Sequence, residues 1–548
     1  MNLFHLLLGL QKHLLFCFLL LGAGLYAQTG TGVPVPTGSG KALYVAPTSG
    51  DDTLTREQNN INNPWATVHR AWYQARAGDV VYFRGGRYSP ATVIHTKGNG
   101  FNGTSENPIT FTNYPGEIAI IDGINTTGGA NGEMFSIQKD FNSVIGTMVG
   151  NERGFQFINY VTCFFTGEDI GGAHFVVDGC RGIANRYGDN TGFVYTGADY
   201  QTVINNKISG CGTTGHLNTA GIFARVIRHI KILNNEIDNC VNGIYYKHPN
   251  DFNLDSDIEI AYNYVYNCLQ TQLVCCRARI HDNIFTTAVL MGNDGGGVSA
   301  TRSHADYNLI YNNTFYSLAF LNDWPAHDPL KGCTSNTIRD NIFGARQSWH
   351  EYSLPSPGYD YGNSTDYNLY FGTVVIRENR IDYTLQGWRN YQLNTHSRIV
   401  DANSLTGTPA FVGGATPTSI AGFALAAGSP GENAGSDGRD MGADVTKVGI
   451  QALGSLTITS PNGGESWRRG ESHPITWTPG SATGNVAIEL IQGSTFLGRI
   501  AESVAASTGT FNWTVGQMAD GTTRTGTGLK IRIRSHAAPS SLLAEVNL

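Results

Sequence analysis

The chain has 548 residues, enough for more than one domain, and only 14% of them are charged, against roughly 25% in ordinary soluble proteins. Gly is abundant at 68, a balance that suits short strands and tight turns and excludes a protein of long charged helices. The net charge of -7 leaves no basic footprint, so nucleic acid is excluded as the expected partner.

Lys12 precedes an apolar run over residues 14–21, which leads into Gly22-Ala23-Gly24-Leu25-Tyr26-Ala27-Gln28. A short apolar core ending in small residues reads as a secretory signal peptide over residues 1–27, cleaved after Ala27. The run falls short of the roughly 20 residues a membrane span needs, and no later segment is apolar enough to span. A secreted, extracellular protein without stable membrane insertion is therefore expected. Residues 28–41, rich in Thr, Gly, Pro and Ser, read as a flexible leader.

Ala42-Leu43-Tyr44-Val45-Ala46-Pro47 reads as a strand, followed by a polar loop to Asn63. From Pro64 to Ala75, Trp65, Val68, Trp72 and Ala75 recur at helical spacing with Pro at the start. A helix here would plug the open first coil of a stacked repeat structure. Gly78-Asp79-Val80-Val81-Tyr82-Phe83-Arg84-Gly85-Gly86-Arg87-Tyr88 then reads as a turn and a strand.

A short phrase recurs downstream: Ile204-Asn205-Asn206-Lys207-Ile208, Leu233-Asn234-Asn235-Glu236-Ile237, Ala261-Tyr262-Asn263-Tyr264-Val265, His281-Asp282-Asn283-Ile284-Phe285, Tyr311-Asn312-Asn313-Thr314-Phe315 and Arg339-Asp340-Asn341-Ile342-Phe343. The Asn at the third position of each phrase advances by 29, 28, 20, 30 and 28 residues. Such a step with β-rich content implies one coil of a β-solenoid per repeat, and the uneven steps imply loops of varied length on a constant core. Inward Asn residues at one turn per coil can hydrogen-bond in a ladder, each amide satisfying the next. Cys211, Cys240 and Cys268 each follow a repeat Asn by five residues and read as a stack of buried thiols. A disulfide between coils remains an alternative that sequence does not assign.

Tyr44-Val45, the amphipathic helix, Ala77-Gly78-Asp79-Val80-Val81-Tyr82 and the Gly85-Gly86-Arg87-Tyr88 turn resemble the entry of secreted right-handed parallel β-helix proteins, the pectate-lyase-like group. Leu425-Ala426-Ala427-Gly428-Ser429-Pro430, followed by Asp440-Met441-Gly442-Ala443, resembles the last coil of that group. The resemblance implies an all-β, right-handed parallel β-helix over residues 42–445 with an N-terminal capping helix. It points to fold rather than activity, since one scaffold carries several chemistries.

Residues 446–454 read as a linker, and residues 455–548 as a second domain of short strands and turns. Regular strands such as Pro474-Ile475-Thr476-Trp477, Val486-Ala487-Ile488-Glu489-Leu490 and Leu529-Lys530-Ile531-Arg532-Ile533-Arg534 imply an immunoglobulin-like β-sandwich. The Ser460-Pro461-Asn462-Gly463-Gly464-Glu465 opening with Ile475-Thr476-Trp477 resembles a module related to a fungal cell-wall-synthesis domain. An accessory role follows, with attachment to a wall or glycan as its sharper form.

For chemistry, Gly221-Ile222-Phe223-Ala224-Arg225 matches Gly243-Ile244-Tyr245-Tyr246-Lys247 at a separation of 22. With Ile222 and Ile244 inward, alternation sends Phe223, Arg225, Tyr245 and Lys247 outward, on coils about 4.8 Å apart. Arg225 and Lys247 then sit side by side, with Phe223 and Tyr245 as sugar platforms. Arg277 follows on the next coil, its register open by one residue.

A lyase acting on a uronate polymer needs a cation on the carboxylate and a base for the proton α to it. Like charge beside a lysine favours its neutral amine. Lys247 is the candidate base, and Arg225 or Arg277 the carboxylate partner. The pairing resembles the Lys-plus-Arg sites of β-helix lyases that cleave alginate or dermatan. Cys240-Val241-Asn242-Gly243 stands before Lys247 where an acidic calcium cluster would be.

A second cluster holds Asp294 in a Gly-rich loop, then Arg302, His304 and Asp306, with Trp324 and His327 on a later loop and His248 next to Lys247. These are candidate substrate-binding groups. No cofactor is assigned; calcium is the one ion left open, with Asp294 as its candidate ligand. Asp294 paired with Asp251, Asp255 or Asp257 is the alternative of a glycoside hydrolase. The Asn-Thr-Asp, Asp-Asp and Gly-His-Gly signatures of β-helix polygalacturonases are absent. The reading is a polysaccharide lyase cleaving an acidic polysaccharide by β-elimination, against that hydrolase or a non-catalytic glycan-binding or adhesion protein. Nothing in the sequence specifies the oligomeric state.

Overall fold

A computed structural model describes residues 33–128, 132–149, 152–167, 171–183, 191–212, 218–225, 227–247, 257–292, 305–317, 319–322, 334–344, 347–349, 362–371, 376–378, 381–450, 456–478, 485–492, 495–535 and 542–548. The expected signal peptide and its cleavage point lie outside these residues. No helix among them is long and apolar enough to cross a membrane. The chain divides into two compact units, one of them Gly38–Ala452 and the other holding Leu453–Leu548.

The first unit is a parallel β-helix. Each coil between its two ends contributes one strand to each of three twelve-stranded sheets. Gln201–Ile204, Lys207–Ser209 and Ala220–Arg225 form one coil; Ile230–Leu233, Glu236–Asp238 and Asn242–Lys247 form the next. The strands of these two coils pair in parallel and in register in all three sheets. An antiparallel pair, Ile376–Glu378 with Ile381–Tyr383, ends the third sheet.

The corner between the first and second sheets explains the recurring phrase. The residue before each repeat Asn has a left-handed backbone: Asn205, Asn234, Tyr262, Asp282, Asn312 and Asp340 have φ between 51° and 60°. Asn and Asp tolerate that conformation best among residues with side chains, which accounts for the Asn-Asn and Asp-Asn doublets. The Asn that follows points inward and is fully buried at positions 206, 235, 263, 283, 313 and 341. Each Nδ2 donates to the next Oδ1 at 2.9–3.1 Å. Each Oδ1 also accepts the preceding rung's backbone N–H. The ladder continues to Asn368, whose N–H donates to Ser404 Oγ, and begins at Cys180, whose N–H donates to Asn206 Oδ1.

Below this corner, Phe285, Phe315, Phe343 and Tyr370 stack on four successive coils with centroids 5.2–5.6 Å apart. Cys211, Cys240 and Cys268 are free thiols, and Cys211 N–H donates to Cys240 Sγ at 3.4 Å.

The capping helix is Val68–Gln74, shorter than the sequence periodicity. Thr67 caps its N-terminus by accepting from Arg70 N–H, while Trp65 lies before it in extended chain bridged to Val45. Trp72 stacks on Phe111 at 3.8 Å, sealing the first coil.

Gly38 to Lys41, counted in the leader by sequence, belong to this unit; Lys41 N–H donates to Asp79. Its C-terminal segment also extends past the expected boundary. After residue 407 the chain runs back along the coils. Ser436 N–H donates to Asp340, Ala443 N–H to Thr314 Oγ1, Asp444 N–H to Asp282 Oδ1 and Gly449 N–H to the Tyr262 carbonyl. Asn234 Nδ2 donates to the carbonyls of Lys447 and Gly449. Residues 446–450 are thus docked on the β-helix. Phe411, Phe423, Met441 and Val448 bury an apolar face there against Tyr264, Ile284, Ile342 and Leu369.

The second unit is an immunoglobulin-like β-sandwich. Thr457–Ser460, Ser472–Thr478 and Thr510–Thr514 make one antiparallel sheet. Thr495–Ala505, Asn485–Gln492, Leu529–Ser535 and Leu542–Asn547 make the other. Ile475, Trp477, Ile488, Leu490, Ile531 and Ile533 meet in its core. Trp477 Nε1 donates to the Ala506 carbonyl at 2.7 Å, so the large indole is buried without an orphaned donor.

Candidate functional site

The third sheet carries the candidate residues. Ala220–Arg225 pairs with Asn242–Lys247 so that Ile222 faces Ile244, Phe223 faces Tyr245 and Arg225 faces Lys247. Ile222, Ala224, Ile244 and Tyr246 belong to the central core. Phe223 and Tyr245 form a separate apolar cluster with Ala220 and the half-buried Tyr195. The expected alternation therefore holds, and the structure brings Arg225 and Lys247 together on the outer side. Arg225 is exposed and Lys247 half-buried, with its Nζ over the Tyr245 ring at 5.9 Å from the centroid.

The aromatic neighbours differ from expectation. Phe223 and Tyr245 are 0% and 1% exposed, so neither presents a face to a sugar. They are rungs of an outer ladder: Phe165 to Tyr195 is 5.1 Å, Tyr195 to Phe223 is 4.7 Å and Phe223 to Tyr245 is 4.9 Å. Rings repeated at one register on successive coils cover each other, and ring–ring contact takes the place of ring–sugar contact. The half-buried Phe165 and Tyr195 escaped the sequence reading because only two strands were aligned. The same outward register is visible in Phe164-Phe165-Thr166 and Val194-Tyr195-Thr196.

Arg277 does not join the pair. Asn242–Lys247 carries a bulge: Asn242 pairs with Gln270 but Tyr245 with Gln272, so Val274 takes the rung beside Lys247. Arg277 lies beyond the strand end, in a left-handed turn with φ 55°, its guanidinium 5.6 Å from the Tyr307 ring centroid. It is a rung of the corner that also places Phe141, His174, Tyr200 and His229 at positive φ. There His174, Tyr200 and His229 stack at 4.5 and 4.4 Å.

His248, Asp294, Arg302, His304, Trp324 and His327 lie outside the described residues, as do Asp251 and Asp255. Asp257 pairs with Arg279 at 3.2 Å, and Asp306 accepts from Thr334 N–H and Oγ1, a turn-holding role. Among the described residues no three His, Cys, Asp or Glu side chains converge as a metal site.

A second titratable group occupies the outer face of the first sheet. His281 is buried with Nδ1 2.9 Å from Asp282 Oδ2 and Nε2 3.3 Å from Glu259 Oε1, and it stacks on Tyr311 at 4.7 Å. Burial opposes its charge, but the hydrogen bonds to Asp282 and Glu259 outweigh burial and raise its pKa. The bond from His281 lowers the Glu259 carboxyl against the opposing effect of burial. Arg279 also reaches Glu259 at 3.5 Å.

Comparison with known proteins matches both units. Residues 43–218 match the family model described as the Pel9A-like, right handed beta helix region. Residues 460–541 match the model of the Kre9/KNH-like N-terminal Ig-like domain. The chain is 38% identical over 82 residues to pectate lyase PEL9 of Emericella nidulans, a stretch covering 15% of this chain and 18% of that protein. The match thus spans less than a fifth of the curated relative. Among solved structures, pectate lyase Pel9A is similar at 13% identity and TM-score 0.40, over 76% of this chain and 99% of that one. The PL6 family alginate lyase AlyGC is similar at 11% identity and TM-score 0.32, over 78% and 60%.

Proposed function

We propose that this chain is an exported polysaccharide lyase that cleaves a uronate-containing polymer by β-elimination. The observation that carries the reading is the in-register pairing of Arg225 with Lys247 on adjacent coils of an outward sheet face. The local likeness to pectate lyase PEL9 supports it and makes polygalacturonate the first polymer to test. The apolar run near the N-terminus supports export.

In this reading a uronate carboxylate binds the Arg225 guanidinium, which offsets the negative charge that grows as the α-proton leaves. The neutral amine of Lys247 takes the C5 proton. The electron pair forms the C4–C5 double bond, and the C4–O bond to the neighbouring sugar breaks. The departing oxygen takes a proton from water to become a hydroxyl, and the Lys247 ammonium returns its proton to the solvent. Arg277, on another corner, has no part in this scheme. The C-terminal sandwich acts as an accessory module.

An ultraviolet assay of the purified protein tests the proposal, with pectate, alginate and glycosaminoglycans, each with calcium and with chelator. Rising absorbance from an unsaturated uronate supports the lyase and identifies its polymer, and the chelator arm decides the metal requirement. New reducing ends without absorbance would replace it with the hydrolase reading and turn attention to Asp294. Binding without cleavage of any polymer would favour a glycan-binding protein.

A further inference from the structure

Gln270 and Gln272 lie on the strand Gln270–Val274, one coil beyond Lys247, and both are half-buried on its outer side. Gln270 Nε2 donates to Asn242 Oδ1 at 3.1 Å, and Gln272 Nε2 donates to the same oxygen at 3.0 Å. The orientation of all three amides follows from one fixed group. Asn242 Nδ2 donates at 2.9 Å to the carbonyl of Thr219, which can only accept. Asn242 must therefore turn its oxygen toward the glutamines, and each glutamine must turn its NH2 inward and its carbonyl oxygen away. Asn242 is fully buried, so this hinge is held by the coil itself.

The outward halves of the two amides have no other hydrogen bond among the described residues. The next rung offers only Ala288 and Leu290 opposite them, neither with a side-chain donor. Both amide nitrogens meet one oxygen, so two carbonyl acceptors, each with a spare N–H, stand side by side. Two residues along the strand and one coil across place the Cα of Gln272 about 8 Å from that of Lys247.

We propose that Gln270 and Gln272 form a subsite that binds the neighbouring hydroxyl groups of a sugar next to the one held at Lys247. The pair of acceptors suits a vicinal diol, since each hydroxyl can donate to a carbonyl and accept from a spare N–H. It does not suit a carboxylate, which would face two carbonyl oxygens without a cation. This subsite rests on the polysaccharide reading above and adds to it a demand for free hydroxyls.

The test compares wild type with Gln270→Ala and Gln272→Ala on polygalacturonate and alginate oligomers, plain and O-acetylated. Dissociation constants come from calorimetry and KM and kcat from absorbance. Each single variant leaves Asn242 Oδ1 one donor, and an unchanged thermal midpoint checks that the coil is intact. Each variant should raise Kd and KM by roughly three- to tenfold with little change in kcat, as loss of one or two hydrogen bonds implies. Acetylation should weaken wild-type binding and cost the variants less. Unchanged Kd in both variants, or an equal acetylation penalty in all three proteins, would overturn the subsite while leaving the lyase standing. Wild type that neither binds nor cleaves any of these oligomers would overturn both.

Discussion

Arg225 and Lys247 occupy the same register position on neighbouring strands, so two cations share one sheet face. Lys247→Ala should lower kcat by roughly 10²–10⁴-fold, the range for loss of a positioned general base. Lys247→Arg should not restore it, because a guanidinium stays protonated. Arg225→Ala should cost about 10²-fold through loss of charge stabilisation in the transition state. Initial rates on the cleaved polymer check all three variants. Full activity in Lys247→Ala would remove the lysine from the mechanism.

The Asn ladder should be the most sensitive part of the fold. Asn263 donates to the carbonyls of Ile232 and Ala261 and to Asn283 Oδ1, and its own Oδ1 accepts from Asn235 N–H and Nδ2. Asn263→Leu keeps the bulk but strands buried donors and acceptors on both sides. A loss of at least about 3 kcal/mol is expected, from several unsatisfied groups at roughly 1–3 kcal/mol each. Denaturant unfolding followed by far-ultraviolet circular dichroism measures it.

The His281 cluster should make stability depend on pH. A raised His281 pKa means that its contribution is complete below the ordinary value of 6.5 and is lost as pH climbs through the folded value. A lowered Glu259 pKa means that its contribution is present above the ordinary 4.5 and is lost as pH falls through the folded value. The two together favour the window between those values. Wild type should be more stable at about pH 5.5 than at about pH 8.5, by on the order of 1 kcal/mol. His281→Gln should flatten the difference, and thermal midpoints at the two pH values decide it.

The returning C-terminal segment can be tested at one atom. Gly442 has φ 90°, and a Cβ there would lie 2.7 Å from Ile342 Cδ1 and 2.8 Å from Thr314 Oγ1. Gly442→Ala should therefore cost about 1–3 kcal/mol from backbone strain, with the crowding added. Proteolysis of residues 430–450 should accelerate in the variant. An unchanged midpoint and cleavage rate would show that the segment does not depend on this close approach.

Several of these features were legible from local pattern. Asn and Asp doublets at one step per coil announce a left-handed corner followed by an inward amide, and neighbouring coils confirm both. The helix was legible from its apolar spacing, though its start was not, because Thr67 and the bridge from Trp65 to Val45 set the boundary. Asn368 was legible too, since Tyr367-Asn368-Leu369-Tyr370 repeats the Tyr262-Asn263 form 27 residues after Asn341, yet the ladder count stopped short of it. Docking of residues 444–450 rests on partners more than 160 positions away in sequence, such as Asn234 and Asp282.

By itself the sequence determined the coil, the inward amides and the outward pairing of Arg225 with Lys247, because each follows from strand alternation and the length of one repeat. Tertiary structure alone decided what happens where a coil departs from that repeat. A single extra residue between Asn242 and Tyr245 moves Val274 beside Lys247, and the start of the next strand at Ala278 holds Arg277 in the corner before it. It also brings Gln270 and Gln272 onto one Asn242 oxygen, and stacking of successive coils closes Phe223 and Tyr245 from solvent. Register between coils is set by backbone hydrogen bonds across the sheet, and a one-residue slip there reassigns every side chain that follows.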